Sequence, residues 1–154
     1  MGPIIRIYDE SHTNIISSWN AGTVRAQEPS AALNINIWNN KGGDTSVSDL
    51  KECTLGVYDA DGGSTGDVST GKWVQVNIPS VDGDGTTWTA IGANTTKKIR
   101  ANGIATDYTI SGVANNGTAT ATTNYCSMKL RINAPINSEP GNKEFRVRLT
   151  GYYT

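Results

Sequence analysis

The sequence predicts an all-β protein: one antiparallel β-sandwich, Ig-like or jelly-roll, of roughly eight to ten strands with at most one short helix. Apolar residues alternate with polar ones at period two along most of the chain, and no helical periodicity runs for ten or more residues. Gly, Asn and Asp cluster between the alternating runs, where a chain must reverse. Composition agrees, since 19 Thr, 17 Gly, 15 Asn and 12 Ser make up 63 of the 154 residues. These are strand and turn formers. With 36% hydrophobic residues the chain can bury one sizeable core, so residues 1–154 read as a single domain.

The strands follow in order. Ile5 and Ile7 open the chain, and Leu33, Ile35 and Ile37 alternate with Asn34, Asn36 and Trp38. Cys53, Leu55 and Val57 share one face; Val74, Val76 and Ile78 share the next. Cys126, Met128, Leu130 and Ile132 form a third such row, and Phe145, Val147 and Leu149 alternate with Arg146, Arg148 and Thr150. Shorter candidates lie at Ile15–Trp19, Trp88–Ile91, Lys97–Ala101 and Tyr108–Val113. One apolar and one polar face is the signature of a sheet with one side on the core, and two such sheets make a sandwich.

Turn signals separate these runs: Asn39-Asn40-Lys41-Gly42-Gly43, Asp59-Ala60-Asp61-Gly62-Gly63, Asp82-Gly83-Asp84-Gly85 and Asn115-Asn116-Gly117. The nearest approach to a helix is Val47 to Glu52, at most one turn, with Ser46 or Ser48 as its cap. The weakly patterned stretch Ala114–Asn124 reads either as an exposed loop or as a contact loop toward a neighbouring subunit.

Charge excludes several function classes. Lys plus Arg is 13 and Asp plus Glu is 14, a net charge of −1, so the basic footprint of a nucleic-acid binder is missing. No run approaches the ~18 apolar residues of a membrane span. The apolar stretch in Met1–Arg6 is too short for a secretory h-region, so the chain is expected to be a mature form or to be used without Sec export. Cys53 and Cys126 sit on apolar phases and are expected to be buried, reduced thiols. An antibody-type domain would carry Tyr two residues before the second cysteine, where this chain has Asn124.

Chemistry is sparse. The single histidine, His12, lies in the polar run Asp9–Thr13 and reads as a solvated turn residue; no Gly-x-Ser-x-Gly elbow accompanies it. Three Cys and His residues, widely spaced, do not make a zinc site. Calcium would use the Asp59–Asp61 or Asp82–Asp84 turns, but the first has Gly63 and Thr70 where an EF-hand needs ligands. Turn chemistry is the simpler role for both. No carboxylate pair brackets a cleft, and Gly62–Asp67 lacks the Lys and Ser or Thr of a phosphate loop. The expectation is therefore no enzyme, no cofactor and no metal.

What remains is contact chemistry. Trp38 and Trp73 fall on the phase opposite the apolar rows and read as core or sheet cover, packed on the second face or under a loop, as interface anchors, or as a sugar platform. Arg146 and Arg148, with Lys129 and Arg131, suggest a basic stripe on one polar sheet face. The interface candidates are Trp38, Trp73, Arg146, Arg148, Tyr152 and Tyr153. The competing class is a carbohydrate-binding module recognising cell-surface or cell-wall glycan.

The runs Trp19-x-Ala21-Gly22-x-Val24, Ile37-Trp38-Asn39-Asn40-Lys41, Gly71-Lys72-Trp73-Val74-Gln75-Val76 and Ala90-Ile91-Gly92, closing on Phe145-Arg146-Val147-Arg148-Leu149-x-Gly151-Tyr152-Tyr153-Thr154, carry a resemblance. In texture and order this chain resembles small β-sandwich structural proteins in tailed phages and prophages of Gram-positive bacteria. The resemblance implies a scaffold role in capsid decoration, at the neck or collar, or on the tail or baseplate. It implies contact with other virion proteins and with copies of itself, without nucleic acid or membrane. Two inward thiols fit assembly in a reducing bacterial cytoplasm.

Overall fold

Alternation resolves into two antiparallel sheets. In the computed structural model, which describes residues 1–154, the strands are β1 (Ile5–Asp9), β2 (Leu33–Asn39), β3 (Lys51–Asp59), β4 (Val74–Asn77), β5 (Thr89–Ile91), β6 (Lys97–Lys98), β7 (Tyr125–Ile132) and β8 (Phe145–Tyr152). One sheet has the order β1-β2-β7-β4-β5 and the other β6-β3-β8. Their apolar faces meet in one cluster of 19 buried residues, with Leu55 and Val57 from the small sheet and Ile37, Val74, Val76, Met128 and Leu130 from the large one. The all-β sandwich is what the chain forms.

The strand order leaves an edge open. A seven-stranded immunoglobulin-type sandwich, lettered in chain order, sets A-B-E-D against C-F-G. With β5 and β6 set aside as an inserted pair, β1, β2, β3, β4, β7 and β8 take positions A to F. The small sheet ends at β8, which has β3 on one side and no strand on the other.

Where at most one short helix was expected, two four-residue helices form, α1 (Asp67–Thr70) and α2 (Pro79–Asp82), with a 3-10 turn at Thr122–Asn124. Helix α2 starts on Pro79, whose missing N–H costs nothing in a first turn, and stops at Gly83 with φ 78°. Val47–Glu52 is not helical: Leu50 bridges Ile110 and β3 begins at Lys51. Among the shorter candidates, Thr89–Ile91 and Lys97–Lys98 are strands, whereas Ile15–Trp19 and Tyr108–Val113 contribute only the bridges Tyr8↔Ile15 and Leu50↔Ile110. The second runs beside the bulged start of β3, where the register shifts between Lys51 and Thr54, and an uneven neighbour does not sustain a ladder.

Buried asparagines tie one end of the sandwich. Asn124 Nδ2 donates to the carbonyls of Asn39, Ser111 and Val113. Asn39 Nδ2 donates to Ser48 O and Ile110 O, and Asn40 Nδ2 to Thr45 O and Gly112 O. Asn115 accepts from Gly42 N and donates to Asn40 O, so Ala114–Asn124 is laced onto the loop after β2. A side-chain amide here does what a ladder does elsewhere: it pairs buried backbone groups that no strand reaches.

Candidate functional site

The least finished part of the molecule is β8. Its inward side chains, Phe145, Val147 and Leu149, are only half-buried, while those of β7 are at most 5% exposed. Below them lies a cleft of about 430 Å³ between the sheets, with 12 hydrophobic residues among its 16 lining residues. Ile16 and Trp19 lean over its mouth, Trp19 edge-on to Phe145 at 5.7 Å. Outside the ladder with β3, no backbone hydrogen bond reaches residues 145–152. An edge strand leaves every second N–H and C=O without a partner.

Above the sheet, Arg146 and Arg148 point to solvent. Arg148 pairs in register with Gly56, and its guanidinium stacks on Tyr58 at 4.2 Å. A Cβ on Gly56 would come within 2.9 Å of the Tyr58 ring, so this position stays small to let the ring lie flat. Lys98, on the same outer face of the neighbouring β6, stands 5.0 Å from the Tyr108 ring, with the Arg100 guanidinium 5.3 Å from it. The face is cationic and aromatic.

The basic stripe expected from the two late strands divides. Lys129 and Arg131 lie on β7 in the large sheet, Arg146 and Arg148 on β8 in the small one, so the pairs occupy opposite outer faces. Alternation assigns a phase but not a sheet. Arg131 is engaged, with its Nε donating to Gln75 Oε1 at 2.7 Å and its guanidinium 4.0 Å from the Trp88 ring.

The tryptophans are core and cover residues, not the interface anchors also considered for them. Trp38 is on the outer phase but 0% exposed, because the loop after β1 folds back over it: its Nε1–H donates to His12 Nδ1 at 3.0 Å, and Tyr125 stacks at 4.6 Å. Trp73 joins the buried core cluster. The exposed interface candidates are therefore Arg146, Arg148, Tyr152 and Tyr153. Tyr153 lies against Gly2, and Ser48 Oγ meets the carbonyls of Met1 and Thr154, so the two chain ends adjoin β8. The sequence reading missed the apolar cleft and Trp19. Paired arginines on a late strand, a device of sheet edges, were the available signal.

His12 sits in its turn with φ 62° but is half-buried on Trp38 and Tyr125. Burial, then the Lys41 charge, pushes its pKa below the ordinary value. The Asp-Gly runs serve as turns: Asp59 accepts from Thr65 N and Gly66 N, Asp84 from Thr86 N and Thr87 N, and Asp82 pairs with Lys97 at 2.5 Å. No three His, Cys, Asp or Glu side chains are grouped to hold a metal ion. Cys53 and Cys126 are buried and unbridged, and burial pushes both thiols up to about 12. No helix is long and apolar enough to cross a membrane. Compared with family models, curated proteins and solved structures, the chain matches none.

Proposed function

We propose that this chain is a non-enzymatic structural component of a tailed-phage particle, present in many copies and acting by protein–protein contact. Its place is capsid decoration, neck or collar, or a tail or baseplate accessory. Its partners are other virion proteins and its own copies, met during assembly in the host bacterial cytoplasm.

The observation that carries the contact reading is the unpaired edge of β8, eight residues with exposed arginines and a tyrosine above an open apolar cleft. Main-chain groups, an apolar slot and arginine–aromatic pairs are the materials of protein recognition. The phage particle rests on the resemblance of the chain's sequence runs. The sugar-platform alternative loses its two anchors, since Trp38 and Trp73 are buried. Mass spectrometry of purified virions and cross-linking on the particle test the proposal. The expected result is stoichiometric presence with cross-links to virion neighbours. Absence from virions, or a free monomer that binds no virion component, would overturn it.

A further inference from the structure

We propose that the open edge of β8 is a seat for one strand of a different protein: an extended segment, alternating acidic and apolar, that adds antiparallel to β8. This rests on the reading that the chain works by protein contact, and names the partner's chemistry.

Topology, backbone and depth converge on the seat. β8 is an edge strand of the small sheet, with β3 on one side only. The β8 edge has no backbone partner on that side. Val147 and Leu149 face the core yet stay half-buried beside the open cleft, while Phe145 has Trp19 edge-on across it. A strand added here would pair the free backbone groups and send every second side chain into the cleft. Those inward residues must be apolar.

Charge sets the other face. Arg146 and Arg148 make no ion pair, the chain's two ion pairs being Lys97–Asp82 and Lys143–Asp67. Outward side chains of an added strand stand about 5 Å from those of β8, close enough for carboxylates to meet both guanidinium groups. The chain's own strands do not supply this pattern, because none carries acids two residues apart: β1, β3 and the rest offer Asp9, Glu52 and Asp59 singly. Pairing β8 with a second β8 centred on Val147 would oppose Arg146 to Arg148. A second β8 brings no carboxylate to either arginine in any register within the strand, so the occupant proposed is a strand of a different protein.

The probe is an acetylated, amidated octapeptide, Thr-Val-Glu-Val-Asp-Ile-Thr-Val, against a scrambled Thr-Val-Val-Glu-Asp-Ile-Thr-Val in which one acid always faces inward. Fluorescence anisotropy on the full chain should show binding that weakens about tenfold with the scramble, and again with Arg146→Glu plus Arg148→Glu. Hydrogen exchange should gain protection at alternate amides of 145–152. A second variant carries the peptide after Thr154 through a turn of about four residues; it should melt higher than the scramble fused in the same way. Equal binding by both peptides, protection elsewhere, or equal melting of the two fusions would overturn the seat. A peptide-free dimer with β8 amides protected would hand it to a second copy, and also overturn it. Absence of the protein from virions would sink the functional reading and leave the peptide result standing; a silent peptide would do the reverse.

Discussion

β7 and β8 are each eight residues long and each alternate apolar with polar, yet the molecule treats them differently. β7 runs between β2 and β4, and Cys126, Met128, Leu130 and Ile132 are sealed to between 0% and 5% exposure. β8 has β3 on one side and no strand on the other, and its inward row is only half-buried. The outward rows differ too. Tyr125 donates to Ala119 O, Ser127 to Asn36 Oδ1 and Arg131 to Gln75, whereas Arg146 has no partner. Alternation says which way a side chain points. Only the neighbouring strands say whether anything meets it there.

The largest expected effect is at the centre of β7. Leu130→Ala removes a side chain 1% exposed and should cost about 3 kcal/mol, since the packed neighbours cannot close the void. Leu149→Ala, on a surface already facing an open cleft, should cost about 1 kcal/mol. Urea denaturation of both variants decides the matter. Equal costs would mean that β8 is as enclosed as β7, and the contrast would fail.

A comparable loss should come from the asparagine-laced end, which is closed where β8 is open. Asn124→Ala strips a donor from three carbonyls, those of Asn39, Ser111 and Val113. Val113 O keeps the Asn115 Nδ2 donor, but leaving the Asn39 and Ser111 carbonyls without this one should cost about 2 kcal/mol. Hydrogen exchange in the same variant should rise at Ser111 and Asn115 and stay unchanged in β8. A loss below ~0.5 kcal/mol would show that water replaces the amide at once.

These regions were not equally legible in the sequence. The strands β2, β3, β4, β7 and β8 were readable because each buries one face of a sheet, and burial imposes period two. Asparagine was readable only as turn chemistry. Its second use, pairing buried backbone across 85 residues from Asn124 to Asn39, depends on which loops the fold brings together and leaves no local pattern. Trp38 shows the same limit. Its phase was legible, and packing under a loop was one of its readings, but which loop was not, because that cover comes from a turn 26 residues earlier. The four-residue helices escape periodicity because one turn has no period to detect. The open edge at β8 is a property of strand order alone.

On the outward rows the effects should shrink. Arg131→Ala removes both the hydrogen bond to Gln75 and the cover on Trp88, and should cost about 1 kcal/mol. Arg148→Ala gives up one exposed stacking contact with Tyr58 and should cost about 0.5 kcal/mol. Thermal melts of the pair at low and high salt test this. If Arg148→Ala proved the costlier, β8 would already hold a tighter contact than its exposure implies.

The smallest effect concerns the cover on β2, and it depends on pH. His12 Nδ1 accepts the Trp38 Nε1–H bond at 3.0 Å, so it must be unprotonated in the folded chain. Burial and the nearby Lys41 charge hold its pKa below the ordinary 6.5, while Asp9 opposes them weakly. The unfolded chain therefore takes up the proton first as pH falls, and stability drops with it. Full stability lies above about pH 6.5, and the loss accrues below that as pH falls toward the folded pKa. Asp9 anchors the same loop through Asn14, Ser11 and Thr13, which hold its carboxyl well below the usual range, so the anchor does not titrate in this window. His12→Asn keeps a residue that tolerates φ 62° and removes the imidazole. Urea midpoints at about pH 7.5 and about pH 5.5 should differ in the wild type and converge in the variant. The same difference in both proteins would assign the pH dependence to another group, and the Trp38 cover would then be insensitive to the proton.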